Sequence, residues 1–362
     1  MAERGGDPAC WAEWVCDGCG ALVELGDDHP CVGADLDRVA AETGFSGVVR
    51  VDRADDMAVA KAYGFAHRGY RLANRVDTQF AIASGTKALT ALAVVSLIEE
   101  GRLDWTTTAR SLLGADLPLI GDDVTIEHLL GHRSGIGDYL DEESNVEMTD
   151  YLLPIPAQAL ASSEDYLQVL VGHPAKFAPG ERFGYCNSGY VVLALMAERA
   201  SGGAFPELVH RRVCVPAGMV ATEFLRSDEH SGRAAVGYLA AEGSRTNVFH
   251  LPVRGSGDGG IYSTAADIHA FWNALFAGKI VAPDSVATMV CPRSDVPKES
   301  MRYGLGFWLH ASRNTVILEG FDAGVSFRTV HEPASGMTYT VLANTTSGAW
   351  PMARLLEKLL LP

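Results

Sequence analysis

Residues 83–98 read ASGTKALTALAVVSLI, and this stretch decides how we interpret the rest of the chain. Alanine and leucine favour helices and Gly101 follows as a stop signal, so the stretch predicts a helix. The predicted helix is apolar almost all round, which is typical of a buried element. Its first turn nevertheless carries Ser84 and Lys87, whose spacing puts both side chains on one face.

This serine and lysine pair predicts an activated nucleophile. Burial makes a charged lysine costly and lowers its pKa, so the amine can assist the neighbouring hydroxyl. The free N–H groups at a helix start also favour the negative charge that develops there. The alternative is a helix cap followed by an unrelated lysine, because S-x-x-K is a common string.

The composition is that of a globular protein of 362 residues with a formal charge of −16. This charge argues against nucleic acid or an anionic membrane as the main partner. No apolar run reaches the length of a membrane span, and the first residues do not resemble a secretory signal. We therefore expect a soluble, cytoplasmic protein whose oligomeric state the sequence does not set.

Residues 1–34 differ from the rest because they are rich in glycine and cysteine. The C-x-x-C-G pattern of residues 16–20 resembles a zinc knuckle, and further thiols and an imidazole are close enough in sequence to complete a tetrahedral site. The candidate ligands are Cys10, Cys16, Cys19, His29 and Cys31. We expect a structural zinc here, and the alternative is a set of reduced, incidental thiols. His128 and His132 are also four residues apart, but they lack a third ligand and are interpreted as loop structure.

Residues 35–362 are interpreted as one enzyme-sized domain. Predicted strands occupy 45–51, 57–64, 304–309, 315–318, 325–330 and 337–344, and predicted helices occupy 36–41, 189–200, 265–275 and 349–360. Strands at both ends with helices between them predict an α/β (α+β) fold in which one sheet contains segments from both termini.

A second candidate site lies in the loop 179–190, before a predicted apolar helix. Tyr185 and Asn187 alternate along this loop, so both side chains can face one cleft. A lysine ammonium can lower the pKa of a nearby tyrosine and make it a general base, while an asparagine can hold a substrate amide or the lysine. The alternative is a helix entry in which Asn187 or Ser188 is the cap.

Together these two motifs resemble the penicillin-binding and serine β-lactamase family, most closely its class C, D-alanyl-D-alanine carboxypeptidase and family VIII esterase branch. Further stretches in the same order support the resemblance over most of residues 36–362. They are residues 78–84 (TQFAIAS), 128–136 (HLLGHRSGI), 216–219 (PAGM), 259–267 (GGIYSTAAD) and 303–306 (YGLG).

The resemblance implies an antiparallel sheet flanked by helices, a helical domain, and a cleft between them. Ser84 would attack a carbonyl, Lys87 and Tyr185 would share the proton transfers, and Asn187 would orient the substrate. The N–H of Ser84 and one from a late strand would form the oxyanion hole. No metal or cofactor is implied for catalysis.

The chain departs from the family at this late strand, where a basic K-T-G or H-x-G motif is expected. The corresponding residues are Leu318, Glu319 and Gly320, with Phe321 supplying the strand N–H. The glycine is kept and the cation is absent, which disfavours substrates that carry a carboxylate. Glu319 could instead attract a substrate amine, and the alternative is a solvent-facing strand residue.

From these observations we expect a serine hydrolase that cleaves an ester or amide through an acyl-enzyme on Ser84. The substrate would be a small ester, amide or peptide, such as a D-amino acid derivative or a natural-product intermediate. Two alternatives stay open: an acyl transferase that uses the same acyl-enzyme, and a non-catalytic binding module.

Overall fold

A computed structural model describes residues 32–54, 56–142, 147–230 and 232–361, together with the backbone of residues 14–15 and 22–23. The predicted zinc ligands Cys10, Cys16, Cys19, His29 and Cys31 lie outside the described residues, so the zinc site of residues 1–34 stays a prediction. Within the described ranges, no three His, Cys, Asp or Glu side chains are grouped to hold a metal ion. None of the helices described is both long and apolar enough to cross a membrane.

The strands of the described chain vary from two to eight residues in length. In chain order they are β1 (Trp14–Val15), β2 (Leu22–Val23), β3 (Gly47–Arg53), β4 (Asp56–Tyr63), β5 (Phe65–His67), β6 (Leu72–Ala73), β7 (Phe80–Ala81), β8 (Tyr262–Ser263), β9 (Ser294–Val296), β10 (Met301–Tyr303), β11 (Trp308–His310), β12 (Val316–Asp322), β13 (Val325–Glu332) and β14 (Met337–Ala343).

Eight of these strands form one antiparallel sheet in the order β4-β3-β14-β13-β12-β11-β10-β9. The N-terminal β3 pairs with the C-terminal β14, with Val49 opposite Val341. The prediction of a sheet built from both ends of the chain is therefore confirmed. The smaller pairs β1-β2, β5-β6 and β7-β8 lie outside this sheet.

The helices precede, interrupt and follow the sheet. They are α1 (Val32–Thr43), α2 (Thr86–Glu99), α3 (Ala109–Leu113), α4 (Ile126–Leu130), α5 (Leu167–Leu170), α6 (Asn187–Ser201), α7 (Phe205–Val209), α8 (Val215–Ala217), α9 (Ala265–Phe276), α10 (Pro283–Met289) and α11 (Ala349–Leu360). Short 3-10 turns cover Ala83–Gly85, Ala157–Ala159, Ser163–Tyr166 and Pro297–Glu299, and a π-helical turn covers His210–Cys214.

Helices cover both faces of the sheet. Successive strand residues point to opposite sides, so neighbouring residues of one strand belong to two different cores. Ile317 belongs to the core under α1 and α11, whereas its neighbours Val316 and Leu318 belong to the core shared with α2 and α9. Helix α2 lies between the sheet and the helical region around α6, and it is buried from Thr86 to Leu97. Burial on all sides explains why its sequence lacks a polar face.

One predicted element is wrong over most of its length. In the strand predicted for residues 304–309, residues 304–307 form a turn between β10 and β11, in which Gly306 has φ +93°, and only residues 308 and 309 belong to β11. An alanine-sized side chain at Gly304 would also come within 2.2 Å of the Met289 carbonyl oxygen. The glycines therefore serve a tight turn with close packing, and the apolar residues between them mimic a strand in sequence.

Candidate active site

The candidate nucleophile lies in a tight turn between β7 and α2. Ser84 is half-buried in the 3-10 turn Ala83–Gly85, and Ala83 adopts a left-handed φ of +44°. A non-glycine residue held in this conformation is strained, so surrounding contacts must fix it. The hydroxyl of Thr86 donates to the Ala83 carbonyl at 2.7 Å and accepts from the N–H of Ile261 at 3.2 Å. Because Ile261 directly precedes β8, these two bonds connect the turn to β8.

Lys87 lies at the centre of the site, and only 2% of it is exposed. Its Nζ lies 2.9 Å from Ser84 Oγ, 2.8 Å from Asn187 Oδ1 and 2.7 Å from the carbonyl oxygen of Asp258. Burial lowers its pKa, and the nearby carboxylates of Asp258 and Glu142 counteract part of that shift.

This coordination suits both protonation states of the amine. Asn187 Oδ1 and the Asp258 carbonyl can only accept, so each takes one N–H of Lys87 in either state. A charged ammonium donates its third N–H to Ser84, whereas a neutral amine turns its lone pair toward the Ser84 hydroxyl. The geometry therefore fits an amine that takes up and returns the serine proton.

Asn187 is fixed from both sides of its amide. Its Oδ1 accepts from Lys87, and its Nδ2 donates to the Leu140 carbonyl at 2.9 Å and to Glu142 Oε1 at 3.2 Å. The residue is the first of α6, and it is not the cap, because Cys186 holds the N-cap position. The cap acceptor comes from far away in sequence: the buried carboxylate of Asp138 accepts from the N–H groups of Asn187 and Ser188 at 2.8 and 2.9 Å.

Tyr185 stands beside the nucleophile, and its phenol is close enough to the Ser84 side chain for that side chain to influence the pKa of Tyr185. The ring lies between His132, at 4.2 Å between centroids, and the parallel ring of Trp308, at 6.1 Å. Lys87 Nζ is 5.0 Å from the ring centroid. Burial nonetheless raises the pKa of Tyr185 well above its usual value, so the phenol keeps its proton at neutral pH, contrary to the lowered pKa expected from the sequence.

His132 supports Tyr185 from behind and is buried among aromatic rings. Its Nδ1 accepts from the N–H of Cys186 at 3.1 Å, and burial lowers its pKa well below the usual histidine value. The imidazole is therefore neutral and fixes the loop that carries Tyr185. His128 instead completes a capping box with Thr125 at the start of α4.

The late strand β12 passes directly against the nucleophile turn at Gly320. A Cβ on Gly320 would lie 2.5 Å from the Ser84 nitrogen and 2.7 Å from the Ile82 carbonyl oxygen, so only glycine fits here. The neighbouring β11 pairs with residues 316 and 317 of β12, which leaves the later part of that strand edge free of β11. The backbone of Gly320 and Phe321 therefore lies next to Ser84.

Glu319 is directed away from the site. It stands opposite Arg328 on β13 and forms an ion pair with it at 2.8 Å, and Arg328 also binds Glu357 of α11 at 2.6 Å. Glu319 is not among the residues that line the cavity beside Ser84. At the expected cation position, Leu318 is buried in the core.

A cavity of about 300 Å³ opens beside Ser84. Its walls are largely apolar and include Leu140, Met148, Leu153, Leu225, Val236, Val248, Leu251, Pro252, Val253, Phe321 and Val325, with Tyr139, Tyr151, Tyr166 and Tyr262. Glu142, Asp258 and Asp322 also line it, and the described lining contains no lysine or arginine. Sequence reasoning missed Asp138, Asp258 and Asp322, because nothing local to them signals a shared site.

Comparison with known proteins places this chain in a protein family. The beta-lactamase family model matches residues 33–361, and the chain belongs to that family. The resemblance to penicillin-binding proteins and the predicted fold class are thereby confirmed.

Individual relatives carry related names. The chain is 30% identical to a Bacillus subtilis (strain 168) protein named as a penicillin-binding protein, PbpX, over 83% of this chain and 71% of that one. It is 28% identical to esterase EstB of Burkholderia gladioli over 70% of this chain and 71% of that protein. The crystal structure of a penicillin-binding protein from Bacillus halodurans superposes with a TM-score of 0.84 at 33% identity, over 90% of this chain and 99% of that chain.

Proposed function

We propose that residues 35–362 form a serine hydrolase that cleaves a small ester or amide through an acyl-enzyme on Ser84. The observation that carries this proposal is the position of Lys87 Nζ, within hydrogen-bond distance of Ser84 Oγ and of two obligate acceptors. A buried amine with a lowered pKa in contact with a hydroxyl is the arrangement that an activated nucleophile needs.

In the proposed first step, neutral Lys87 takes the Ser84 proton as Oγ bonds to the substrate carbonyl carbon. The carbonyl oxygen becomes an oxyanion, held by the N–H groups of Ser84 and Phe321. Collapse of this intermediate breaks the bond to the leaving group. Tyr185, whose raised pKa keeps it protonated, donates a proton to the leaving oxygen or nitrogen and is reprotonated from Lys87.

In the second step, water attacks the acyl-enzyme. Neutral Lys87 takes a proton from that water, the bond between the acyl carbon and Ser84 Oγ breaks to release the acid product, and Lys87 returns its proton to Ser84 Oγ. An amine that enters in place of water gives acyl transfer by the same route. The ratio of free acid to amide formed in the presence of an added amine distinguishes hydrolase from acyl transferase.

The cavity lining favours substrates with small, largely apolar acyl groups over substrates that carry a carboxylate. Its lining holds three carboxylates and, among the described residues, no cation that would pair with a substrate carboxylate. Penicillins and peptide C-termini are therefore disfavoured relative to neutral esters and amides.

Intact-mass spectrometry after treatment with a fluorophosphonate tests the proposal. We expect one adduct on the wild-type protein and none on Ser84→Ala. The matched control is Ser227→Ala, because Ser227 lines the same cavity but has no contact with Lys87 among the described hydrogen bonds. A wild-type protein that forms no adduct under any condition would favour the non-catalytic binding module.

A further inference from the structure

The described lining of the cavity beside Ser84 contains carboxylates and no lysine or arginine. The carboxylates are those of Glu142, Asp258 and Asp322. His250, with 5% of its surface exposed, also lines the cavity. Its Nε2 donates to the Thr149 carbonyl at 3.0 Å, and its Nδ1 has no hydrogen-bond partner among the described residues.

Among the cavity carboxylates, Asp322 is the closest in sequence to Gly320, the β12 residue that packs against the Ser84 turn. Side chains on one face of a strand recur every second residue, so Asp322 shares its face of β12 with Gly320. Gly320 touches the Ser84 turn, and two strand residues span about 7 Å. Ser84 and Asp322 line the same cavity, so an acyl group bound to Ser84 extends into the space that Asp322 borders.

Asp322 has room for a charged partner. Its one hydrogen bond among the described residues is from the N–H of Ala323 at 3.0 Å, and no described lysine or arginine forms an ion pair with it. Burial raises its pKa to about 7, and the neighbouring carboxylates of Asp258 and Glu142 add to that shift. A cation bound beside Asp322 would stabilise its ionised form.

We propose that the acyl part of the substrate carries a primary amine, and that Asp322 binds this amine as an ammonium ion next to the scissile carbonyl. This inference rests on the proposed acyl-enzyme at Ser84 and narrows its substrate class to amino-acyl esters and amides. It assigns to Asp322 the amine recognition that the sequence had suggested for Glu319, which instead pairs with Arg328 on the other face of the strand.

The proposal is tested with two phenyl esters, alanine phenyl ester in both enantiomers and phenyl isobutyrate. They share a leaving group and a shape, and the isobutyrate has a methyl group where the alanine ester has an ammonium group. We expect the wild-type protein to favour one alanine ester by at least about tenfold in kcat/KM, the range of one charge-assisted hydrogen bond. Asp322→Asn should abolish that preference, and Glu319→Gln should keep it. Asp284→Asn is the control, because Asp284 is an exposed carboxylate on α10 far along the chain from the site.

The opposite results overturn the proposal: a wild-type preference for the isobutyrate, an unchanged preference in Asp322→Asn, or a preference lost in Glu319→Gln alone. If neither ester turns over, slower fluorophosphonate labelling of Ser84 in the presence of alanine amide than in that of isobutyramide makes the same comparison. The labelling also separates the two hypotheses. A labelled Ser84 without amine preference refutes only the substrate class, whereas an unlabelled Ser84 refutes the proposed hydrolase. Unfolding temperatures of all variants identify any loss that is merely structural.

Discussion

Replacing Gly320 by alanine should damage catalysis by moving β12 away from the nucleophile. The added Cβ would lie 2.5 Å from the Ser84 nitrogen, 2.7 Å from the Ile82 carbonyl oxygen and 3.0 Å from the Gly85 nitrogen. All three are backbone atoms and cannot rotate aside. To reach an ordinary contact distance of about 3.5 Å, the strand and the turn must separate by about 1 Å.

That separation acts on the proposed oxyanion hole, which needs the N–H groups of Ser84 and Phe321 at hydrogen-bond distance from one oxygen. A 1 Å displacement of a reacting group typically costs about 10²-fold, and loss of one oxyanion donor about 10²–10³-fold. We therefore expect Gly320→Ala to label with fluorophosphonate at least about 100 times more slowly than wild type. The overpacking should cost about 1–3 kcal/mol of folding free energy, a few degrees in Tm.

The assay is the second-order rate of adduct formation, followed by intact mass, with Tm measured on the same samples. Gly232→Ala is the matched control, because a Cβ there would meet nothing within 4 Å. A Gly320→Ala protein that is folded and labels at a rate close to that of wild type would refute the reasoning, since the oxyanion donors would then tolerate the displacement.

The rate of Ser84 labelling should also rise with pH and level off below the ordinary lysine pKa of 10.5, because burial lowers the pKa of Lys87 and only its neutral form accepts the serine proton. A rate that keeps rising through pH 10.5 would contradict a depressed lysine pKa. For residues 1–34, metal analysis of the purified protein should find about one zinc per chain, and a chelator should leave Ser84 labelling unchanged. A zinc content far below this would end the knuckle prediction.

Local sequence was sufficient for the main elements of the fold. The apolar stretch after Ser84 predicts the buried α2, and alternating β-branched and aromatic residues predict β12, β13 and β14 to within a few residues. The turn between β10 and β11 was mistaken for a strand, because Gly304 and Gly306 interrupt an apolar run without changing its composition.

The sequence by itself determined the residues whose chemistry is local or carried by a family motif: the Ser84 and Lys87 pair on one helical turn, and the Tyr185 and Asn187 pair at a helix entry. Their spacing along the chain fixes which side chains share a face, and that information is present before folding.

Only the tertiary structure decided the hydrogen-bond partners and the protonation states of those side chains. The Asp258 carbonyl that completes the Lys87 shell and the Asp138 carboxylate that caps α6 come from distant loops. Burial keeps the Tyr185 phenol protonated, and the register of β12 against β13 turns Glu319 to Arg328 while Asp322 lines the cavity. Hydrogen-bond partners, desolvation and strand register depend on what surrounds a residue in space, and no local pattern in the sequence encodes those surroundings.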